Sequence, residues 1–433
     1  MPERLKLTIA GLATAAMLTV PVAAEAEVFE VTKRGDHVPG TCTNADCTLR
    51  EAVIEASAQP GDDRVELPSS KPYNLTREIG LGPGEAEDGD LDIDSGLGNL
   101  ITIAHPGKGL ATIDATGAED RAIELVGAGT LRKLQLRDGD ANSTGEAGGG
   151  LSVDGNVTVT RSRIKGSEGS DVGGGIFVTD GTLQLRRSVV RANDAGGEGG
   201  GIFVDDDARF EIARSTLAGN EADQGGGIFT ATDELDNEIV ASTVSGNTVT
   251  EEGGGIWNGG PSLLVSNSTV ADNTAEGSGG GLYAAPDSQT AVVSATIARN
   301  RADADDAGPH SGGGIFADGG DDVVLAVNSL LARNRTTGGG LQDCDAPAPV
   351  GIVSAGGNLV TTEQDCPFLD HAEDIVDPEP LIGVLADNGG PTRTVKLKQG
   401  SPAIDEADGM NVQDVDQRGV EREDPDIGAY ERQ

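Results

Sequence analysis

Aromatic residues are scarce in this chain of 433 residues, which has one Trp, three Tyr and seven Phe. A globular core of this size normally contains more of them, because large side chains contribute much of its buried area. Proline is modest and glycine has no Gly-X-Y period, so the chain is not a collagen. Beyond the N-terminal segment no run is apolar enough to cross a bilayer. These absences exclude an ordinary compact domain, a collagen and a multi-span membrane protein.

Basic residues are also scarce, with 31 Lys and Arg against 72 Asp and Glu, for a net charge of −41. Such a charge repels nucleic acid and anionic lipid, so we expect neither as a partner. Residues 1–26 have Arg4 and Lys6, then an apolar stretch, then Ala24 and Ala26 in an A-x-A site. This order is typical of a secretory signal peptide cleaved after Ala26. We therefore expect a mature chain without a transmembrane segment, secreted or at the cell surface.

Four cysteines occur as two local pairs, Cys42 with Cys47 and Cys344 with Cys366. In an exported protein this arrangement predicts two disulfides, one near each end of the chain. The alternative is a zinc site that uses all four thiolates. It is weakened by the lack of a C-x2-C knuckle.

Glycine is abundant, with 65 residues, and much of it falls in a repeated triplet followed by Ile or Leu. The intervals between successive triplets are 25, 26, 26, 28, 26, 33 and 26 residues. A period this steady predicts a repeat architecture. The third glycines of the triplets are Gly150, Gly175, Gly201, Gly227, Gly255, Gly281, Gly314 and Gly340.

Each repeat contains three short apolar segments joined by turn residues, as in "GGGIFV", "RFEI" and "STLAGN". Stacked coils of three strands would satisfy each other's backbone groups by parallel pairing. An asparagine that recurs 18 to 20 residues after the triplet would then form a hydrogen-bonded ladder at one bend. Glycosylation or metal binding is the weaker explanation of this column. Its members are Asn193, Asn220, Asn247, Asn273, Asn300 and Asn334. The sequence thus predicts an all-β, right-handed, single-stranded parallel β-helix of about ten coils.

Two end segments show a family resemblance. "CTNADCTLREAV" (42–53) resembles the CSLREA motif, and "GVLADNGGPTRTVKLKQGSPAID" (383–405) with "DIGAYE" (426–431) resembles the choice-of-anchor Q domain. The triplet repeats are similar to those of polymorphic outer-membrane proteins. The resemblance implies an exported bacterial β-helix protein, in a group whose activity is mostly undefined. We divide the chain into a signal peptide (1–26), an N-terminal cap (27–98), the β-helix (99–345) and a C-terminal cap (346–433), with a short amphipathic helix over 49–58.

One aromatic column follows the Ile/Leu column by one residue. If the aliphatic side chains point inward, the aromatic ones point outward and could stack on sugar rings. Phe229, Trp257 and Tyr283 are then candidate ligand-binding residues. The opposite parity would bury the column as core, and the polar residues Thr230 and Asn258 in the next column favour that parity mildly.

The longest repeat interval carries an acidic insertion, "ARNRADADDAGPHSGGG" (298–314). An insertion in one coil is where a solenoid commonly places a site. Asp303, Asp305 and Asp306 could bind Ca²⁺ there, with His310 beside them. The alternative is a solvated loop. No cofactor is required by the sequence.

Three functions remain open. The first is a recognition or adhesion rod that binds an extracellular polysaccharide or cell-surface glycan. The second is a polysaccharide lyase or glycoside hydrolase, although no catalytic residue is assigned, because acids are too abundant to single out a pair. The third is a structural component of a surface layer or matrix.

Overall fold

Parallel sheets run along the molecule because each repeat contributes strands that pair with the repeats before and after it. The computed structural model describes residues 26–37, 39–76, 89–96, 98–142, 144–308, 310–319, 323–337, 340–347, 351–362, 366, 371–409 and 412–433. The predicted signal peptide lies outside the described residues except for Ala26. The coils form a parallel β-helix of about nine turns, close to the predicted ten. No helix among the described residues is both long and apolar enough to cross a membrane.

The largest sheet, sheet A, has 18 strands within the described residues, and each of the coils between residues 123 and 213 contributes one long bent strand to it. Later coils contribute two shorter strands each. Its strands are Val28–Glu30, Arg64–Glu66, Leu91–Asp94, Leu100–Ala104, Ile123–Arg132, Leu151–Thr160, Ile176–Arg186, Ile202–Ala213, Ile228–Thr230, Asn237–Val240, Ile256–Asn258, Leu263–Ser266, Leu282–Ala284, Gln289–Val293, Ile315–Ala317, Val323–Val327, Cys344–Asp345 and Ile352–Ser354.

Sheets B and C form the other sides of the coil, and a short antiparallel hairpin lies near the C-terminus. Sheet B comprises Tyr73–Asn74, Ala111–Asp114, Leu134–Arg137, Arg163–Lys165, Val189–Arg191, Thr216–Ala218, Thr243–Ser245, Thr269–Ala271, Thr296–Ala298, Leu330–Ala332, Leu359–Val360 and Ile375–Val376. Sheet C comprises Glu168–Gly169, Asp194–Ala195, Glu221–Ala222, Thr248–Val249 and Thr274–Ala275. The hairpin pairs Ile382–Ala386 with Thr394–Leu397.

The interior is a continuous stack of aliphatic side chains. Ile176 pairs in register with Ile202, which pairs with Ile228, and all three are fully buried. Sheet B adds a second inward column that includes Leu136, Ile164 and Val190. Because successive residues of a strand point to opposite faces, the residues on either side of these columns point outward.

The glycine triplets lie at the sharp bend that precedes sheet A. The first glycine of a triplet needs a left-handed backbone, as Gly199 shows with φ 70°. The second faces the neighbouring coil, where a Cβ on Gly200 would lie 2.1 Å from the carbonyl oxygen of Glu221. A side chain at either place would strain the bend or separate the coils, which explains why the triplet recurs.

The six predicted asparagines are buried at one bend and form a hydrogen-bonded column. The Oδ1 atom of Asn220 accepts from the backbone N of Asn193 at 3.1 Å and from its Nδ2 at 3.0 Å, and every later pair repeats this geometry. The column ends at Asp343, whose carboxylate accepts both hydrogen bonds from Asn334. Each coil is thereby held to the next by side chains as well as by strand pairing.

A serine column, which the sequence analysis missed, lies at a second bend. The Oγ atom of each serine accepts from the backbone N of the preceding one, as Ser215 does from Ser188 at 3.1 Å. The column is interrupted at Ala295, whose backbone N donates to Ser329. The signal was the serine that opens "SRI", "SVV", "STL", "STV" and "SLL" in successive repeats. Its members are Ser162, Ser188, Ser215, Ser242, Ser268 and Ser329.

Both ends of the chain pack on the coils. The predicted helix is confirmed over Leu49–Ala58, and Thr48 and Glu51 form a capping box at its N-terminus. The buried Arg50 fixes this helix by ion pairing with Asp36 and by donating to the carbonyl of Asp90. Cys42–Cys47 and Cys344–Cys366 are disulfide-bonded.

The C-terminal segment (381–409 and 412–433) turns back along the rod and covers the outer face of sheet B on the later coils. Its apolar residues Ile382, Val395 and Ile427 pack with the outward alanines Ala271 and Ala298 in one buried cluster. The earlier strands of sheet B are not covered in this way, so the two halves of the same face have different environments.

We predict that Asn247→Ala will lower the free energy of unfolding by about 3 kcal/mol, because it removes the acceptor of two buried donors of Asn220. Urea denaturation followed by circular dichroism measures the change. The control is Thr248→Ala at the adjacent exposed position. Equal effects of the two substitutions would show that the column does not stabilise the rod.

Candidate functional site

The aromatic column lies on the outer face of sheet A and is stacked on itself. Ring centroids of Phe203 and Phe229 are 5.1 Å apart, those of Phe229 and Trp257 are 4.1 Å apart, and these pairs are within 10° of parallel. The column continues to Tyr283 and Phe316 with tilts of 13° and 22°. The column is therefore a packed ladder outside the main core.

This geometry corrects two expectations. The faces of Phe229, Trp257 and Tyr283 are covered by neighbouring rings, so these residues do not present a ring face on which a sugar could stack. The parity argument was wrong about the direction of the column but not about its burial, because Phe229 and Tyr283 are each only 8% exposed in a cluster outside the main core. Thr230 and Asn258 do point inward, where Asn258 Nδ2 donates to Thr290 Oγ1 at 3.0 Å and so satisfies its polar group inside the coil.

The acidic insertion does not gather its aspartates into a metal site. Asp303 is buried, whereas Asp305 and Asp306 are exposed, and the three carboxylates do not converge. Asp305 instead joins His310, Glu251 and Glu252 around a polar recess of about 370 Å³. Burial and the adjacent Glu251 raise the pKa of Glu252, and His310 opposes this shift. Nothing in this recess fixes a ligand.

Among the described residues, the carboxylates that do converge are those of Asp90, Asp92 and Glu124, near the N-terminal end of sheet A. These residues could hold a cation by distance alone. However, Arg121 Nε lies 2.8 Å from Asp90 Oδ2, and the same guanidinium pairs with Glu146. The arginine supplies positive charge to the cluster, which we interpret as a buried structural network of one guanidinium and several carboxyl groups.

A column of basic residues follows one bend between sheets A and B. Each of these residues has a left-handed backbone, with φ between 51° and 54°. Each backbone N donates to the next coil, as Arg187 N does to Ala213 O at 3.0 Å, so the positions are equivalent. The bend column consists of Lys133, Arg161, Arg187 and Arg214.

A second basic column lies beside the first on the outer face of sheet B. Arg137 pairs in register with Lys165, which pairs with Arg191. We call these seven residues of the two columns the basic stripe. The face column continues in register as Ala218, Ser245, Ala271, Ala298 and Ala332. The basic residues thus end where the C-terminal segment begins to cover the sheet.

Most of the basic stripe lacks ion-pair partners. Arg137 pairs with Asp114 and with Asp138, and Lys133 Nζ donates to the carbonyl of Gly107. The other five residues form no ion pair with any residue that the structure describes, and four of them are exposed. In a chain of net charge −41, this is a concentrated positive surface.

The stripe ends in a groove between the rod and the C-terminal segment. The groove has a volume of about 820 Å³, with Arg187 and Arg214 on the rod side and Gln413 and Arg418 on the other side. Thr216 of sheet B also lines it. This groove is larger than the recess of about 370 Å³ that contains Asp305 and His310.

Sequence reasoning missed the stripe although its signal was present. The basic residues stand in "LRKLQLR", "RSRIK" and "LRRSVVR", at equivalent places in consecutive repeats. The net charge of the whole chain concealed them, because the 72 acidic residues far outnumber the 31 basic ones. Aligning the repeats by the serine column would have revealed both basic columns.

Comparison with known proteins agrees on the fold. A family model described as right-handed β-helix region matches residues 196–361, less than half of the chain. The right-handed parallel β-helix predicted from the repeat is therefore confirmed. No curated protein matches the chain. Among solved structures, the chain is similar to the crystal structure of pectate lyase Pel9A, with 14% sequence identity, a TM-score of 0.49, and coverage of 95% of this chain and 98% of that chain.

We predict that the buried acidic cluster makes the protein less stable as pH rises. Burial, with the nearby carboxylates, raises the pKa of Asp90 to about 9 and that of Asp92 to about 7. Both values lie above about 3.9, the pKa of an unfolded aspartate, so the folded chain binds more protons and loses stability between about pH 4 and pH 9. Asp90→Asn should weaken this dependence and raise the melting temperature at pH 9.

The control is Asp94→Asn, at an exposed position of the same strand. Melting temperatures at pH 5, 7 and 9 in a chelating buffer compare the two variants with the native chain. If both variants keep the native pH dependence, the cluster does not link protonation to folding.

Proposed function

We propose that the protein is an extracellular recognition rod that binds acidic polysaccharides along the basic stripe. One observation carries this proposal: seven basic side chains lie in two in-register columns on consecutive coils, and only Arg137 among them has an ion-pair partner within the described residues. The surrounding protein is strongly acidic. A positive surface in this setting is best explained by an anionic ligand.

The columns are unfavourable for the isolated protein, which supports a role in binding. Like charges directly opposite each other on neighbouring strands destabilise a sheet. The bend column adds a second cost, because a left-handed backbone is disfavoured for residues other than Gly, Asn and Asp. At the equivalent bends of covered coils the residues include Asn267 and Asn328, which tolerate this conformation better. The exposed coils have Arg or Lys instead.

The pattern fits a polymer with regularly spaced charges. Coils repeat every ~4.8 Å, so the stripe presents positive charges at a short, regular interval along the rod axis. A uronate or sulfated glycan carries its negative charges along an extended chain. Single-stranded nucleic acid, by contrast, is usually bound through base stacking on aromatic side chains, and the stripe contains none.

The two disulfides support an oxidising location outside the cytoplasm. The resemblance of the end segments to the CSLREA motif and the choice-of-anchor Q domain supports the same location. A protein at this location would encounter extracellular glycans, so we take a glycan as the ligand class. The resemblance of the end segments is also the reason why this proposal includes retention at the cell surface.

We predict that a triple variant, with Arg161→Asn, Arg187→Asn and Arg214→Asn, will bind polygalacturonate about thirtyfold more weakly. This follows from the loss of three exposed charge contacts worth about 0.7 kcal/mol each. Its melting temperature should be equal or higher, because asparagine suits the left-handed bend. Isothermal titration calorimetry at low and high salt measures binding, which should weaken as salt screens the charges.

The matched control is Arg209→Asn, which removes an exposed arginine from the outer face of sheet A. Neutral galactan and single-stranded DNA are the control ligands. Unchanged affinity of the triple variant, or equal binding of galactan, would contradict the proposal. DNA binding as tight as that of polygalacturonate would show a general polyanion surface and would also overturn it.

A further inference from the structure

The basic stripe is closed at the end that faces the C-terminal segment. Beyond Arg214 the next positions of the bend column are Ala241 and Asn267. Both are covered by the C-terminal segment, since Thr392 Oγ1 donates to the carbonyl of Ala241 and Asn267 Nδ2 donates to that of Val415 at 2.9 Å. A polymer that follows the stripe along the rod axis therefore meets this segment.

The groove described above lies at this meeting point. Arg187 and Arg214, the last two residues of the bend column, line its rod side. Arg186 also lines it, although this residue is ion-paired with Glu211 at 2.6 Å. A volume of about 820 Å³ is within the range of small-ligand sites. The groove thus combines space for a ligand with two arginines that lack ion-pair partners among the described residues.

The wall that closes the stripe is fixed by buried hydrogen bonds. Gln417 is 1% exposed, and its Nε2 donates to the carbonyl of Ser242 at 3.0 Å and to Thr243 Oγ1 at 3.0 Å. Arg418 is paired with Asp416, and its guanidinium lies 3.8 Å from the ring centroid of Tyr430. The wall is anchored to the coils, so a ligand would not displace it easily.

We infer that the groove is a terminal subsite, which binds the end of an acidic polysaccharide chain. This inference rests on the proposed function. The polymer lies along the stripe with its charges beside the bend column, and its last charged unit lies between Arg187 and Arg214. Because the wall prevents the polymer from continuing along the rod, the protein recognises chain ends and does not bind interior segments.

The stoichiometry of binding tests this inference. Purified oligogalacturonates of two defined lengths, both longer than the stripe, are titrated with the full mature chain, and the complexes are sized by light scattering after gel filtration. End recognition predicts the same number of protein molecules per sugar chain for both lengths. A number that rises in proportion to length would overturn the inference and leave the proposed function intact.

A pair of matched substitutions provides the second test. Ala213 lines the groove, whereas Thr182 lies on the outer face of sheet A, in register with Arg209 and outside both the groove and the basic stripe. Ala213→Trp should fill the subsite and weaken binding at least about tenfold. Thr182→Trp should change the affinity less than about twofold.

Equal effects of the two tryptophans would overturn the terminal subsite, and circular dichroism of both variants verifies that the coils are intact. If neither oligogalacturonate nor a sulfated glycan such as heparin binds the native chain, the proposed function itself fails, and the inference fails with it. The failure of the inference and the failure of the proposed function are therefore distinguishable.

Discussion

In-register stacking of equivalent residues in adjacent coils is the constraint on which the rest of the structure depends. Parallel pairing sets each residue directly above its counterpart, so one residue type repeated in the sequence becomes one column in the molecule. Aliphatic columns form the interior, and asparagine and serine columns close two bends by hydrogen bonds between buried groups. The glycine triplets permit the close approach that this stacking requires.

The same stacking has an electrostatic consequence on the outer face of sheet B. Basic residues in one column are held about one strand spacing apart, and the fold offers them no opposite column to pair with. Where the C-terminal segment packs on this face, the column changes to alanine and one serine, because only a small side chain fits between the two layers. At this strand position a coil therefore has either a basic side chain on an exposed face or a small side chain beneath the C-terminal segment.

Much of the fold could be predicted from the sequence, because a repeat of about 26 residues encodes its own columns. The period indicated the coil, the recurring Asn pointed to a ladder, and "LREAVIEASA" predicted the helix over 49–58. The candidate site was less accessible. Whether Trp257 exposes a ring face depends on the distances between rings in adjacent coils, which the sequence does not contain. The basic columns become visible only when the repeats are aligned and the returning C-terminal segment is located.

At the left-handed bend of the bend column, the backbone conformation does not depend on the charge of the side chain. Arg187, Ala241 and Asn267 adopt nearly the same φ although their side chains differ completely. Substitution at this bend therefore changes the charge of one coil without changing the path of the chain. A repeat protein built this way can lengthen or shorten its charged surface one coil at a time, and the number of coils left uncovered by the C-terminal segment determines the length of that surface.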